Sequence, residues 1–285
     1  MDNWIPGGQR QVIDRDLIKK ALAEDLQGGE DVTSVSTISA DSVSTAEFTS
    51  RRSGVLAGID MVQAVLEEVG LTDITAVKRD GEAIKTGEVL LTVKGNTRAI
   101  LLAERTALNF VGHLSGIATE TAKWVSTVAG TNCKVRDTRK TTPGYRQLEK
   151  YAVRMGGGTN HRMSLSDAAL IKDNHIAAAG GVAQAFSAVR SAFPSAPIEI
   201  EVDTLDQLRE VLPLKPDLVL LDNMSPAQCK EAVTIVNGAT KLEASGGIQL
   251  ENAKAYAESG VDYIAIGALT HSAAVLDIGL DLRAE

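Results

Sequence analysis

The sequence predicts an α/β chain in two parts: a smaller α+β region, then parallel strands and helices closing into an incomplete barrel. Six short apolar strand candidates recur between residues 133 and 267, most of them separated by amphipathic helices. Strands alternating with helices give a parallel sheet, and that many units favour closure into a barrel. Aromatic residues are only 4% of the chain while Ala, Val, Ile, Leu and Gly abound, which suits buried parallel strands under helices. The residues before Thr97 lack the alternation and carry shorter β runs punctuated by Gly54 and Gly58.

In chain order, DRDLIKKALAEDL (14–26) reads as a helix, with β runs at 43–49 and 54–58, a helix at 60–69, and strands at 73–78 and 88–94 around the turn-rich DGEAIKTGE. TRAILLAERTALNFV (97–111) has Ile100, Ala103, Ala107, Phe110, Val111 and Leu114 on one face of a helix. Arg98, Arg105, Asn109 and Gly112 lie opposite, and Leu101 with Leu108 forms a second ridge. A second helix is expected from Ser115, a good N-cap, to Gly130, with Ile117, Thr121, Trp124, Val125 and Val128 on one side. The barrel strands are then CKVRD (133–137), AALIK (168–172), IEIEV (198–202), LVLLD (218–222), KLEAS (241–245) and YIAIG (263–267), so the barrel is either incomplete or has an irregular extra strand near 160–165. Intervening helices carry Val182, Phe186, Val189 and Phe193; Leu205, Leu208 and Leu212; and Leu250, Ala253 and Ala257. The tail VLDIGLDL (275–282) alternates like an edge strand, so the expected division is 1–114, 115–272, and a tail 273–285 returning to the first domain.

The formal charge of −8 sets any nucleic-acid surface against an unfavourable background. No apolar run reaches membrane-spanning length, and the opening MDNWIPGGQR lacks a signal-peptide core, so a cytoplasmic location without a membrane partner is expected. Cys133 and Cys229 have no metal-ligand spacing and read as small buried hydrophobes.

Chemistry concentrates where the barrel strands end, at Asp137, Lys172, Glu201, Asp222, Ser245 and Gly267. That rim is where α/β barrels build their sites. RDTRKTTPG (136–144) puts Arg136, Arg139 and Lys140 there ahead of a helix expected at Pro143, whose free N–H groups favour an anion. In GGGTNHRMSLSDAALIKDNH (156–175), His161 beside Arg162 reads as an anion contact and His175 as a brace of its loop. Lys172 admits a structural salt bridge, a substrate anion or a Schiff base. Glu201 and Asp222 end consecutive strands; they fit a Mg²⁺ pair, an acid–base pair, or neutralisers of Lys172. Ser245-Gly246-Gly247 and Gly267-Ala268 offer backbone N–H groups to a phosphate.

AERTALNFVGHLSGIAT (103–119), RDTRKTTPG (136–144), GGGTNHR (156–162), ALIKDNH (169–175), EIEVD (199–203), LLDN (220–223), EASGGI (243–248) and GVDYIAIGALTHS (260–272) together closely resemble the quinolinate phosphoribosyltransferase family. The resemblance implies an N-terminal α/β sandwich domain and an open barrel of the nicotinate-phosphoribosyltransferase type. It implies a pentosyltransferase joining quinolinate to 5-phosphoribosyl-1-diphosphate and releasing diphosphate and CO₂, to give nicotinate mononucleotide for NAD synthesis. By resemblance, Arg105, Arg139, Arg162 and Lys172 face the quinolinate carboxylates, with His161 close by. Lys140, Glu201, Asp222, Ser245, Gly246, Gly247, Gly267 and His271 hold the sugar diphosphate, with Thr138 and Ala268 among the substrate contacts. Lys140, Lys172, Glu201 and Asp222 are the residues expected to carry the reaction. Mg²⁺, or Mn²⁺ in its place, is expected at Glu201 and Asp222, and a homodimer is expected to lend Arg105 to the neighbouring site.

Overall fold

The computed structural model describes residues 13–284; the opening segment read above for a signal peptide lies outside them. In chain order the elements are α1 (Arg15–Leu26), α2 (Val32–Thr37), β1 (Val43–Ser50), β2 (Gly54–Val55), α3 (Ile59–Glu68), β3 (Asp73–Ala76), β4 (Ala83–Ile84), β5 (Val89–Asn96) and α4 (Thr97–Thr127). There follow β6 (Lys134–Arg136), α5 (Arg146–Met155), β7 (Ala169–Ile171), α6 (Asp173–Ala179), α7 (Val182–Ala192), β8 (Ile198–Val202), α8 (Leu205–Val211) and β9 (Leu218–Asp222). The chain closes with α9 (Pro226–Val236), β10 (Lys241–Ser245), α10 (Leu250–Glu258), β11 (Tyr263–Ala265), α11 (Ala268–His271) and β12 (Ile278–Ala284). Two compact units result: one takes residues up to 122 with 147–157 and the segment from 272, the other takes 123–146 and 158–271.

The first unit is built on an antiparallel sheet of order β12-β1-β5-β3. Alternation in β1 buries Ser44, Ala46 and Phe48, as one packed face of a sheet requires. Asp14 caps α1 by accepting from the Leu17 N–H at 3.0 Å, and the helix buries Ile18 and Leu22. β12 pairs with β1 from Ser44 opposite Ala284 to Ser50 opposite Ile278.

Where two helices were expected, α4 is one helix of 31 residues, and the expected boundary at 114/115 falls inside it. Ser115 is buried rather than capping: its hydroxyl accepts from the Ala57 N–H at 3.0 Å and lies 3.1 Å from the Ala57 carbonyl. Glycines on either side of Ser115 serve a close approach. A Cβ at Gly116 would stand 2.1 Å from the Ala274 carbonyl oxygen, and one at Gly112 would stand 3.0 Å from that of Leu276. The Leu276 N–H donates to Gly112 O at 3.0 Å across the same groove. The helix accepts about 1 kcal/mol of intrinsic cost per interior glycine so that a passing backbone can lie against it. Of the second ridge, Leu108 is buried within the chain and Leu101 is half-buried.

The second unit is a parallel sheet of order β6-β11-β10-β9-β8-β7. Among the described residues no strand joins β6 to β7. Of the two alternatives the incomplete barrel is the one found: residues 160–165 form a loop, and Thr159 meets the β6 edge in a single parallel bridge to Arg136. The Asp137 carboxylate accepts from the His161 N–H at 2.7 Å and from the Asn160 amide, while Asp167 accepts from the Met163 and Ser164 N–H groups. Carboxylates thus take the amides that a strand would give to a ladder. The helix expected at Pro143 begins only at Arg146, after a turn closed by the Tyr145 N–H on Thr142 O. Phe193, expected on the inner face of α7, is 65% exposed just past the helix end.

Candidate active site

The C-terminal ends of the parallel strands surround a cavity of about 540 Å³. The loop after β6 brings Thr138, Arg139 and Lys140 to its wall. His161 and Arg162 enter from the loop before β7, and Lys172 follows that strand. Glu201 on β8 and Asp222 on β9 line it, as do Ser245, Gly246 and Gly247 after β10 and Gly267, Ala268 and His271 after β11. Arg105 is exposed on α4, in the other unit, and does not line this cavity.

Two local devices shape the side formed by the glycine loops. Gly246 sits at φ +88°, a left-handed conformation, and a Cβ there would stand 2.2 Å from Asn223 Oδ1. Only glycine fits that turn without strain. The loop runs on to Gln249 before α10 starts at Leu250, so the glycines do not abut the helix. At Gly267 a Cβ would stand 2.9 Å from Lys140 Cδ and 3.3 Å from His271 Nε2. The missing side chain therefore admits both basic residues. The Thr270 hydroxyl donates to Lys140 O at 2.8 Å and ties the first loop of the rim to the last.

The opposite side is cationic. Arg162 reaches the cavity with Nη1 donating to Ala168 O at 2.7 Å. Burial, then the Arg139 charge, hold the Arg162 guanidinium below its ordinary value, because burial disfavours a charged group and a like charge stands close by. Lys172 Nζ is 3.1 Å from Glu201 Oε2, so the salt-bridge reading of that lysine is the geometry found.

Between these sides lie three acids. Carboxylate oxygens of Glu201, Asp203 and Asp222 come within 4.8 Å of one another. Asp222 is pushed up from the usual carboxylate range by burial, then by Glu201 and Asp203. An all-oxygen set of carboxylates at an open rim is the donor chemistry that Mg²⁺ takes.

Beneath the cavity is a polar core that the sequence reading did not assemble. Arg136, expected among the rim cations, is 2% exposed and points inward. Its Nη1 donates to Glu243 Oε2 at 2.7 Å, and its guanidinium lies 3.8 Å from the centre of the Tyr263 ring. His161 Nε2 stands 2.7 Å from Glu199 Oε2, and its Nδ1 accepts the Arg162 N–H at 2.8 Å. Burial pushes the Glu199 carboxyl up to about 7. Burial, then the neighbouring Glu199, raise Glu243 as well. The available signal was IEIEV, where Glu199 and Glu201 share one face of a strand buried throughout. His175 braces its loop by accepting the Lys172 N–H at Nδ1, 3.0 Å away. Cys133 and Cys229 are free and buried, and burial pushes both thiols above their ordinary value, to about 12 and about 11.

Comparison with known proteins bears on both parts of the chain. Residues 31–115 match the family model described as quinolinate phosphoribosyl transferase, N-terminal domain, and residues 117–281 match that of the C-terminal domain. The nicotinate-nucleotide pyrophosphorylase [carboxylating] of Mycobacterium leprae (strain TN) is 53% identical over 274 residues, covering 94% of this chain and 96% of that protein. Quinolinate phosphoribosyltransferase [decarboxylating] 2b, mitochondrial, of Nicotiana tabacum is 38% identical over 95% of this chain and 82% of its own length. The crystal structure of nicotinate-nucleotide pyrophosphorylase from Ehrlichia chaffeensis superposes with a TM-score of 0.92 at 38% identity, covering 96% of this chain and all of that one.

Proposed function

The chain belongs to the quinolinate phosphoribosyltransferase family, and on that premise we propose that it transfers the phosphoribosyl group of 5-phosphoribosyl-1-diphosphate to quinolinate. Loss of CO₂ and diphosphate then gives nicotinate mononucleotide, a step of NAD biosynthesis. The observation that carries the reading is the convergence of Arg139, Arg162, Lys172 and Lys140 with the glycine turns at 246–247 on one cavity. Both substrates are polyanions, and each charge-assisted hydrogen bond contributes about 1.5–3 kcal/mol.

Arg139, Arg162 and Lys172 grip the two pyridine carboxylates. Lys140, with His271 beside Gly267, holds the diphosphate. The pyridine nitrogen attacks the ribosyl carbon as the bond to diphosphate breaks, and the leaving group departs with the electron pair. The ring nitrogen becomes positive, and that charge stabilises the electron pair left on the adjacent ring carbon when its carboxylate leaves as CO₂. That carbon then takes a proton. The protein's part is orientation and charge, and no side-chain nucleophile is needed. Glu201 and Asp222, with Asp203 close to both, would hold Mg²⁺ or Mn²⁺, which supplies positive charge to the departing diphosphate.

The assembly proposed is a homodimer in which Arg105 serves the partner's site, supported by its exposure on the outer face of α4. The location proposed is the cytoplasm, supported by the absence, among the described residues, of a helix long and apolar enough to cross a membrane. Incubation with quinolinate and the sugar diphosphate tests the reaction. Nicotinate mononucleotide and CO₂ in equal amounts are expected; binding of both substrates without either product would refute it.

A further inference from the structure

Resting on the reading of the cavity as a quinolinate site, we propose that His161 is a positioning residue: a neutral imidazole, protonated on Nε2, that fixes the Arg162 backbone instead of offering a charge to the substrate. The Arg162 N–H donates to His161 Nδ1 at 2.8 Å. A ring nitrogen that accepts an N–H presents its lone pair there and carries no proton. The other nitrogen, Nε2, faces Glu199 Oε2 at 2.7 Å and Glu243 Oε1 at 3.6 Å. With Nδ1 accepting, the ring proton is left to Nε2, where Glu199 Oε2 accepts the hydrogen bond, so the ring is a single neutral tautomer. Both nitrogens are thereby turned to protein, although the ring lines the cavity.

The surroundings explain why a neutral ring belongs there. The Arg162 guanidinium is already held down by burial and by Arg139, and an imidazolium next to it would add another positive charge in the same pocket. Arg136 on β6 supplies the buried positive charge, paired to Glu243 on β10 and covered by Tyr263 on β11. Glu199 on β8 completes the frame. His161 thus links a rigid barrel interior to one main-chain amide. Arg162 then extends from a fixed backbone, with one arm of its guanidinium held by Ala168 O. A guanidinium clamp contributes binding energy only where its fork meets the carboxylate squarely, which is what a fixed backbone secures.

The test joins a spectrum to kinetics, both on the full chain. Nitrogen-15 NMR of histidine-labelled protein at neutral pH reads four rings, His113, His161, His175 and His271. The His161 ring is expected to show the neutral Nε2–H pattern; an imidazolium or an Nδ1–H tautomer overturns the proposal. Asn places an amide oxygen where Nδ1 stands, so His161→Asn can still accept the Arg162 amide, whereas His161→Ala cannot. His161→Ala should raise KM for quinolinate by about tenfold or more, with KM for the sugar diphosphate unchanged. His161→Asn should recover most of that loss. Equal defects in the two variants, or an equal rise in both KM values, overturn the proposal. If His161→Ala does not fold, the wild-type spectrum, assigned by substituting the other three histidines singly, still decides. Wild-type turnover of quinolinate separates the two readings: its absence refutes the function, while the tautomer is read with no substrate present.

Discussion

Lys172 Nζ lies 3.1 Å from Glu201 Oε2, so a cation assigned to the acid substrate is held by a carboxylate assigned to the metal. On those assignments the two ligands would be coupled through one ion pair. A divalent cation taking Glu201 frees Lys172 for quinolinate, and reciprocity requires quinolinate to favour the cation in turn. Calorimetric titration of quinolinate with and without Mg²⁺ should show tighter binding with the metal, by about fivefold or more. Glu201→Gln should abolish that dependence. Turnover should vanish in excess EDTA and return with Mg²⁺ or Mn²⁺; full activity in the chelator would contradict the metal assignment.

Selectivity between acids follows from the excess of positive charge. Arg139, Arg162 and Lys172 line one cavity, and nicotinate offers them one carboxylate where quinolinate offers two. Of the three only Arg162 is buried, and a buried charged group that loses a hydrogen-bond partner costs about 1–3 kcal/mol. Competition kinetics should give quinolinate a kcat/KM at least about tenfold above nicotinate. Comparable values would contradict the assignment of these three residues.

Gly246→Ala tests the glycine turn. The new Cβ would meet Asn223 Oδ1 at 2.2 Å and force a left-handed backbone on alanine. Strain of about 1–2 kcal/mol is expected from the conformation alone, visible as a lower melting temperature. KM for the sugar diphosphate should rise more than KM for quinolinate. Gly247, also left-handed but with open space around its missing side chain, should tolerate alanine better.

Subunit sharing is tested by complementation. Arg105→Ala and Lys172→Ala should each be nearly inactive alone. Mixed after unfolding and refolding, they should regain activity, because some dimers would then hold one site with both residues intact. A mixture as inactive as its components, with subunit exchange verified, would show that Arg105 acts within its own chain or not at all.

The parts legible in the sequence were those with a period or a strand end. Period-two and apolar runs located β8, β9 and β10, and the polar residue ending each run led straight to Glu201, Asp222 and Ser245. Tertiary context decided the rest. Ser115 and Gly116 carry the local chemistry of a helix start, yet their partners are Ala57 and Ala274, far off in the chain. Arg136 looked like its neighbour Arg139, because a run of cations does not reveal which of them alternates into the barrel interior. His161 beside Arg162 suggested an anion contact; its ring is instead taken up by a carboxylate on β8 and by the main-chain N–H of the next residue.

The pairing of β1 with β12 carries a consequence for synthesis. Ser44 meets Ala284 and Ser50 meets Ile278, so β1 is synthesised before every strand of the parallel sheet and its partner β12 after them all. Until then β1 has β5 on one side and an open edge on the other. The parallel sheet, by contrast, has all its strands between Lys134 and Ala265. Contacts so remote in sequence slow folding and leave strand edges exposed to other chains in the interval. A nascent chain arrested before residue 278 should therefore show a protease-sensitive N-terminal sheet beside a protected barrel, and its protection should appear only when the final strand is released.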